Sequence, residues 1–307
     1  MPTTTAGTAP VTVDESVPGR LAVRAAGVDL ATYVHDGDFA ASESRKPYLH
    51  PLRTLGGAVV TGFRPNDHRW HKGLQMTATD VSGQNLWGGG TYVHGRGYVP
   101  LDNVGSMRHE EFEALEAPGG EVVVAERLTW LSAAGQEWAD ERRRWRFHGV
   151  DTERGLWVLD FATEVRNVRG EALELGSPTT NGRPDAGYTG LFWRGPRGWR
   201  GGAITTADVT GEEAMGTTSP WLAYSGEHDE VDGRGTLLFL AGSSSAPVPL
   251  RWFVRHEPFA AVAPSFAFSE VVRLEPGEVL ALRHRVVVGD GAWDREEIEA
   301  RAAEFAL

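Results

Sequence analysis

Residues 122–130 alternate so that Val122, Val124, Glu126, Leu128 and Trp130 share one face of an extended segment, the period-two pattern of a strand with one buried side. A turn at Ala134-Gly135 sends the chain back through residues 137–148, and after a turn over 151–155 the run 156–161 continues the meander. Further strands fit residues 21–34, 58–63, 237–241, 250–255, 269–274 and 279–288. Turn signals recur between them at Pro118-Gly119-Gly120, Asp232-Gly233 and Pro276-Gly277. One helix is predicted, with Asp294 as N-cap, Glu297 as its capping-box partner, and Ile298, Ala302 and Phe305 on one face. Thirty-eight glycines in 307 residues and so little helical pattern argue against an α/β fold. The expectation is all-β: a flexible leader over residues 1–19, then one large antiparallel β-sandwich over 20–307 closed by a C-terminal helix. The Gly/Arg-rich stretch 176–216 is expected to decorate one rim.

A formal charge of −12, with acidic residues scattered along the chain, argues against nucleic-acid or anionic-membrane partners. The basic run 141–146 reads as a strand that presents solvated arginines on one face. Cysteine is absent, which removes disulfides, thiolate nucleophiles and cysteine-based metal sites. No run approaches the roughly 20 apolar residues of a membrane span, and the N-terminus lacks a signal-peptide pattern, so a soluble, cytoplasmic protein is expected. Nucleotide-binding glycine fingerprints, a P-loop and a G-x-S-x-G elbow are not found, so their chemistries drop out as intrinsic activities.

Four histidines mark the candidate site: His50 in Tyr48-Leu49-His50-Pro51, His68 and His71 in Asp67-His68-Arg69-Trp70-His71-Lys72-Gly73, and His94 in Tyr92-Val93-His94-Gly95. Set among glycines, prolines and aromatics, they belong on loops or strand ends. Imidazole there can move protons near neutral pH or bind a metal. If a divalent metal is present, His50, His68 and His71 are its ligands; no cofactor is otherwise implied. Glu126 sits on an otherwise apolar strand face and Glu141 shares its face with Arg143, Trp145 and Phe147, so each carboxylate is either ion-paired with Arg143 or functional in a cleft. The stretch 179–194 offers Arg183, Tyr188, Trp193 and Arg194 for hydrogen bonding and stacking on a polar ring. His284 reads as a satisfied core histidine, while Arg255, His256 and Glu257 end a strand where they can border a cleft.

His50-Pro51, the 67–73 block, Asn85-Leu86-Trp87, residues 188–194 and the ending from Pro276-Gly277-Glu278 to Asp290-Gly291 together resemble the bacterial family labelled "methane oxygenase PmoA-like". That label implies a membrane-embedded copper oxygenase, which a chain without a membrane segment contradicts. Such proteins tend to accompany sugar oxidoreductases, so the resemblance implies carbohydrate chemistry on a sandwich similar to the galactose-mutarotase-like supersandwich. It carries over His50, His68, His71, His94, Glu126, Glu141 and Arg194 as motif residues. The leading expectation is an enzyme acting on a sugar, keto-sugar or glycoside, a lyase, hydrolase or epimerase. His50, His68, His71, His94 and Glu141 supply acid–base catalysis, and Glu126, Arg183, Tyr188, Arg194 and Trp87 bind substrate. The alternatives are a metal-dependent enzyme built on the same histidines, and a non-catalytic carbohydrate-binding module presenting Trp70, Trp87 and Trp193.

Overall fold

The alternating run becomes the strand Val122–Leu131, paired antiparallel with Glu137–Asp151 on one side and Ser106–Glu116 on the other. In the computed structural model, which describes residues 7–229 and 231–307, these belong to one of two eight-stranded sheets. The second sheet runs, edge to edge, through Ala203–Thr206, Trp221–Glu227, Arg234–Ser244, Val279–Asp290 and Leu156–Asn167, then Glu137–Asp151, Val122–Leu131 and Ser106–Glu116. The first sheet runs Thr12–Asp14, Arg20–Ala25, Val28–Val34, Tyr48–Leu52, Leu74–Thr77, Gly190–Arg194, Ala261–Ser265 and Arg251–Arg255. Their inner faces share one core, with Trp130, Trp145 and Trp157 from one sheet and Tyr33, Trp193 and Trp252 from the other. This is the expected large antiparallel β-sandwich. The helix Arg295–Glu304 carries both bonds of its capping box and lays Ile298 and Ala302 on the outer face of the second sheet, against Trp221, Leu238 and Trp293. No helix among the described residues is long and apolar enough to cross a membrane.

Four local expectations change. Residues 21–34 form a hairpin and not one strand, because Ala26 and Gly27 both take positive φ (52° and 79°) and reverse the chain in two residues. Residues 58–63 make isolated bridges only, Arg53 with Val59 and Phe63 with Lys72. The stretch 176–216 is more than decoration: Gly190–Arg194 is a central strand of the first sheet. The predicted leader contributes the strand Thr12–Asp14, paired with Ala22–Arg24, while residues 1–6 lie outside the described residues.

Glu126 and Glu141 are fully buried in the sandwich interior. Glu141 accepts from Arg143 Nε at 2.8 Å and Nη2 at 2.9 Å, Trp130 Nε1 at 2.6 Å and Thr163 Oγ1 at 2.7 Å. Glu126, directly opposite Arg143 in the register, accepts from the Tyr33 hydroxyl of the facing sheet and from His109 Nδ1 at 2.7 Å. The inner strand face looks at another sheet and not at a cleft, so the expected catalytic role of Glu141 and the ligand role of Glu126 are both corrected to a core network. In the basic run, Arg142 and Arg144 are exposed as expected, and Arg143 alone turns inward.

His284 is buried beside Phe161, but both its ring nitrogens lack a partner, so it is a core histidine without the expected satisfaction. Burial depresses its pKa to about 3. As pH falls below the unfolded-chain value near 6.5, the unfolded chain takes up the proton first, and stability drops by about 1.4 kcal/mol per pH unit until the folded pKa is reached. Replacing His284 with leucine is therefore expected to remove about 2 kcal/mol of the stability lost between pH 7 and pH 5. Urea titrations of both proteins at the two pH values measure this, and equal losses would refute it.

Candidate active site on the outer face of the first sheet

Strands of the first sheet carry large apolar residues on both faces. Leu191 and Trp193 point into the core while Phe192 points out, and Trp252 and Val254 point in while Phe253 points out. A strand apolar on both faces must be covered on both. Loops supply the cover here and leave a cavity of about 400 Å³ between themselves and the sheet, within the usual size of a small-molecule site. Its walls are Trp70, Trp87, Phe192, Phe253 and Phe259, and its polar lining is His68, His71, Tyr98, Tyr188, Arg183 and Arg255.

The histidines arrive on a loop of two successive turns, closed by His68 N donating to Pro65 O and His71 N donating to His68 O, each at 3.0 Å. Gly73 ends the loop at φ 65°, and a Cβ there would lie 2.1 Å from Leu49 O, so no other residue fits. Between turns and glycine, the Lys72 ammonium reaches inward to Glu43 O at 3.1 Å and anchors the loop. Gly89 plays a related part, since a Cβ on it would strike the Trp70 indole that walls the cavity.

His68 and His71 stand 4.8 Å apart by ring centroid. Arg194, at the end of its central strand, donates from Nη1 to His71 Nδ1 at 3.1 Å. A guanidinium has no acceptor, so Nδ1 must present its lone pair, and we assign the ring proton to Nε2. Burial, followed by the Arg194 charge, pushes the His71 pKa well below the ordinary histidine range. His71 is thus a neutral donor through Nε2. Arg194 itself rests on the Phe259 ring at 3.9 Å and stays cationic at neutral pH, its pKa lowered by burial to about 10.

His68 has the opposite partner. Asp67 Oδ2 stands 3.1 Å from its Nδ1, at ion-pair distance but off the hydrogen-bond axis. The carboxylate favours a proton on Nδ1, which leaves Nε2 as a base. Burial lowers the His68 pKa and Asp67 opposes that shift. One ring is therefore set to give a hydrogen bond and its neighbour to take a proton.

At the other end, Trp87 packs against both His71 (4.8 Å) and Tyr188 (5.8 Å). The Tyr188 hydroxyl shares a hydrogen bond with that of Tyr98, which also accepts from Arg183 Nη1. Burial raises the Tyr188 pKa well above its ordinary value, so the phenol stays protonated.

The expected convergence of four histidines is met by two. His50 stacks on Phe63 at 4.7 Å and contacts Thr61 Oγ1 at 2.9 Å outside the cavity, its pKa lowered to about 4 by burial and Arg53. His94 is exposed and lies against Gly182. The metal set His50, His68 and His71 is accordingly not assembled, and among the described residues no three of His, Cys, Asp or Glu gather where they could hold an ion. Of the expected binding residues, Arg183, Tyr188 and Trp87 line the cavity and Arg194 backs His71, whereas Trp193 is buried in the core. Arg255 lines it as its position suggested; His256 instead faces Glu212, and Glu257 faces Arg200. Asp67, Tyr98, Phe192, Phe253 and Phe259 were not singled out from the sequence.

Fold and site together define a two-sheet antiparallel β-protein with a loop-covered aromatic pocket on one outer face. The chain belongs to the family of unknown function DUF6807, which matches residues 20–303. No curated protein matches it. Among solved structures it is similar to two variants of the GH36 α-galactosidase AgaA from Geobacillus stearothermophilus. One is in complex with 1-deoxygalactonojirimycin (TM-score 0.40, 12% identity) and the other with raffinose (TM-score 0.39, 13% identity). Each match covers 86% of this chain and 40% of the other, so the chain spans well under half the length of those proteins.

Proposed function

We propose that the chain is a carbohydrate-active enzyme that moves a proton on a sugar or keto-sugar carbon beside a carbonyl, as a lyase or epimerase does. His68 Nε2 takes the proton. His71 Nε2–H, held neutral and aimed by Arg194, donates to the carbonyl oxygen as negative charge develops there. Aromatic walls stack on the sugar ring and exclude water. The observation that carries this reading is the pair of adjacent imidazoles oriented oppositely by Asp67 and Arg194 in one cavity. Glu126 and Glu141 take no part, because both are core groups. The PmoA-like resemblance and a sugar oxidoreductase partner belong to the same proposal: oxidation of a ring hydroxyl would install the carbonyl that acidifies the neighbouring carbon–hydrogen bond.

The test is solvent exchange. Sugars, keto-sugars and glycosides bearing one oxidised ring hydroxyl are incubated with the protein in D₂O and followed by NMR. Deuterium should enter beside the carbonyl of at least one of them, and not with the His68→Ala variant. Saturable binding of these sugars without exchange or bond cleavage would leave a binding module and refute the enzyme.

A further inference from the structure

Arg183 and Arg255 line the cavity beside Tyr98 and Tyr188, and neither forms an ion pair with a carboxylate among the described residues. Arg183 spends one donor on the Tyr98 hydroxyl. Arg255 donates from Nη2 to the backbone oxygen of Asp185 at 3.1 Å and lies over the Phe253 ring at 5.4 Å. The Asp185 side chain is in an exposed residue and accepts from neither. Both arginines are partly buried, and no Asp or Glu lines the cavity, in a chain whose net charge is −12. Other partly buried arginines are matched by carboxylates, Arg146 with Glu121 and Arg285 with Asp160, or, like Arg53 and Arg251, donate singly to a backbone carbonyl; Arg183 and Arg255 differ in facing one cavity together. Burial, then the neighbouring Arg183 charge, lower the Arg255 pKa, outweighing the opposing influence of Tyr188, Tyr98 and the exposed Asp185. A guanidinium pair left in this way is a receptor for a planar anion, which it can grip through charge-assisted and forked hydrogen bonds.

We infer that the ligand of this cavity is an acidic sugar whose carboxylate seats between Arg183 and Arg255, a conclusion that rests on the sugar-binding role proposed above. Trp87, in contact with both Tyr188 and His71, then offers its face to the sugar ring between the anchored acid and the imidazoles.

Trp70 and Trp87 in the walls make intrinsic fluorescence a direct readout. Titrations with glucuronate, glucose and glucose 6-phosphate are compared at low and moderate salt. Glucuronate should bind at least about tenfold more tightly than glucose, and added salt should weaken glucuronate alone. Arg255→Met and Arg183→Met, each checked for unchanged thermal unfolding, should each remove most of that gap by weakening glucuronate far more than glucose. Equal binding of glucuronate and glucose, no binding of either, or a gap that survives both substitutions would overturn the inference. Preference for glucose 6-phosphate over glucuronate would overturn the carboxylate assignment. Glucuronate binding with no proton exchange on any sugar sinks the acid–base reading alone. Exchange on neutral keto-sugars without preference for acids sinks the present inference alone.

Discussion

Replacing Arg143 with methionine is expected to lower stability by about 3–5 kcal/mol, the cost of removing one partner from a buried ion pair. Arg143 is about 1% exposed and makes a forked contact to Glu141, with Glu126 directly opposite it in the neighbouring strand. Methionine fills much of the same volume, so the loss comes mainly from charge and hydrogen bonding. Two carboxylates, diagonal to each other on adjacent strands, would then lie in the sandwich core without a cation between them, with Tyr33, Trp130, Thr163 and His109 as their remaining donors. Adding Glu141→Gln to Arg143→Met should recover part of the loss, because the two residues share one network and their effects do not add. Urea unfolding of the single and double variants measures both quantities. The folded fraction of each should bind cavity ligands as the parent does, since this network lies between the sheets and the cavity lies on the outer face of the first. A single variant within 1 kcal/mol of the parent would show that the pair contributes little.

Strand alternation made the inner face of the second sheet legible. Glu126, Glu141 and Arg143 could be placed on it from residue order alone, because a period of two has no other solution once one face is apolar. The same pattern held information about the cavity that residue types obscured. Phe192 and Phe253 occupy outward positions, and an aromatic on a strand's outward face is evidence for a cover. Both sit in continuous apolar runs, where the alternation is hard to see. The histidines illustrate the opposite difficulty. His68 and His71 meet because only two loop residues separate them and Gly73 and Lys72 pin that loop. His50 and His94 lie about twenty residues to either side, and sheet register, which places them, is set by long-range pairing that residue order does not print. Tyr98 and Phe259 are single aromatics on a hairpin and a turn, and nothing in their flanks marks them as wall residues.

His68→Ala should reduce proton exchange on the best sugar substrate by about 10²–10⁴-fold, the usual contribution of a positioned general base, with ligand binding changed far less. Only 31% of the His68 side chain is exposed, and its removal leaves the loop turns and the Gly73 crossing intact, so the variant should fold. The pH dependence carries a sharper signature. Burial holds the His68 pKa below the ordinary 6.5, so the base form dominates at neutral pH and the rate should fall on an acid limb lying below that value. Asp67 raises that pKa against the pull of burial. In Asp67→Asn the opposing influence is gone, and the acid limb should move to lower pH. The maximal rate should fall as well, because the ring proton is no longer held on Nδ1. A merely structural Asp67 would lower activity without displacing the limb. Arg194→Met acts on the other ring: the donor that fixes the His71 tautomer is lost, and with it the adjacent positive charge that depresses His71 protonation. His71 then protonates at higher pH than in the parent, so the two substitutions should shift the acid side of the profile in opposite directions. Profiles that move together, or not at all, would mean that the two imidazoles do not divide the work of base and donor between them.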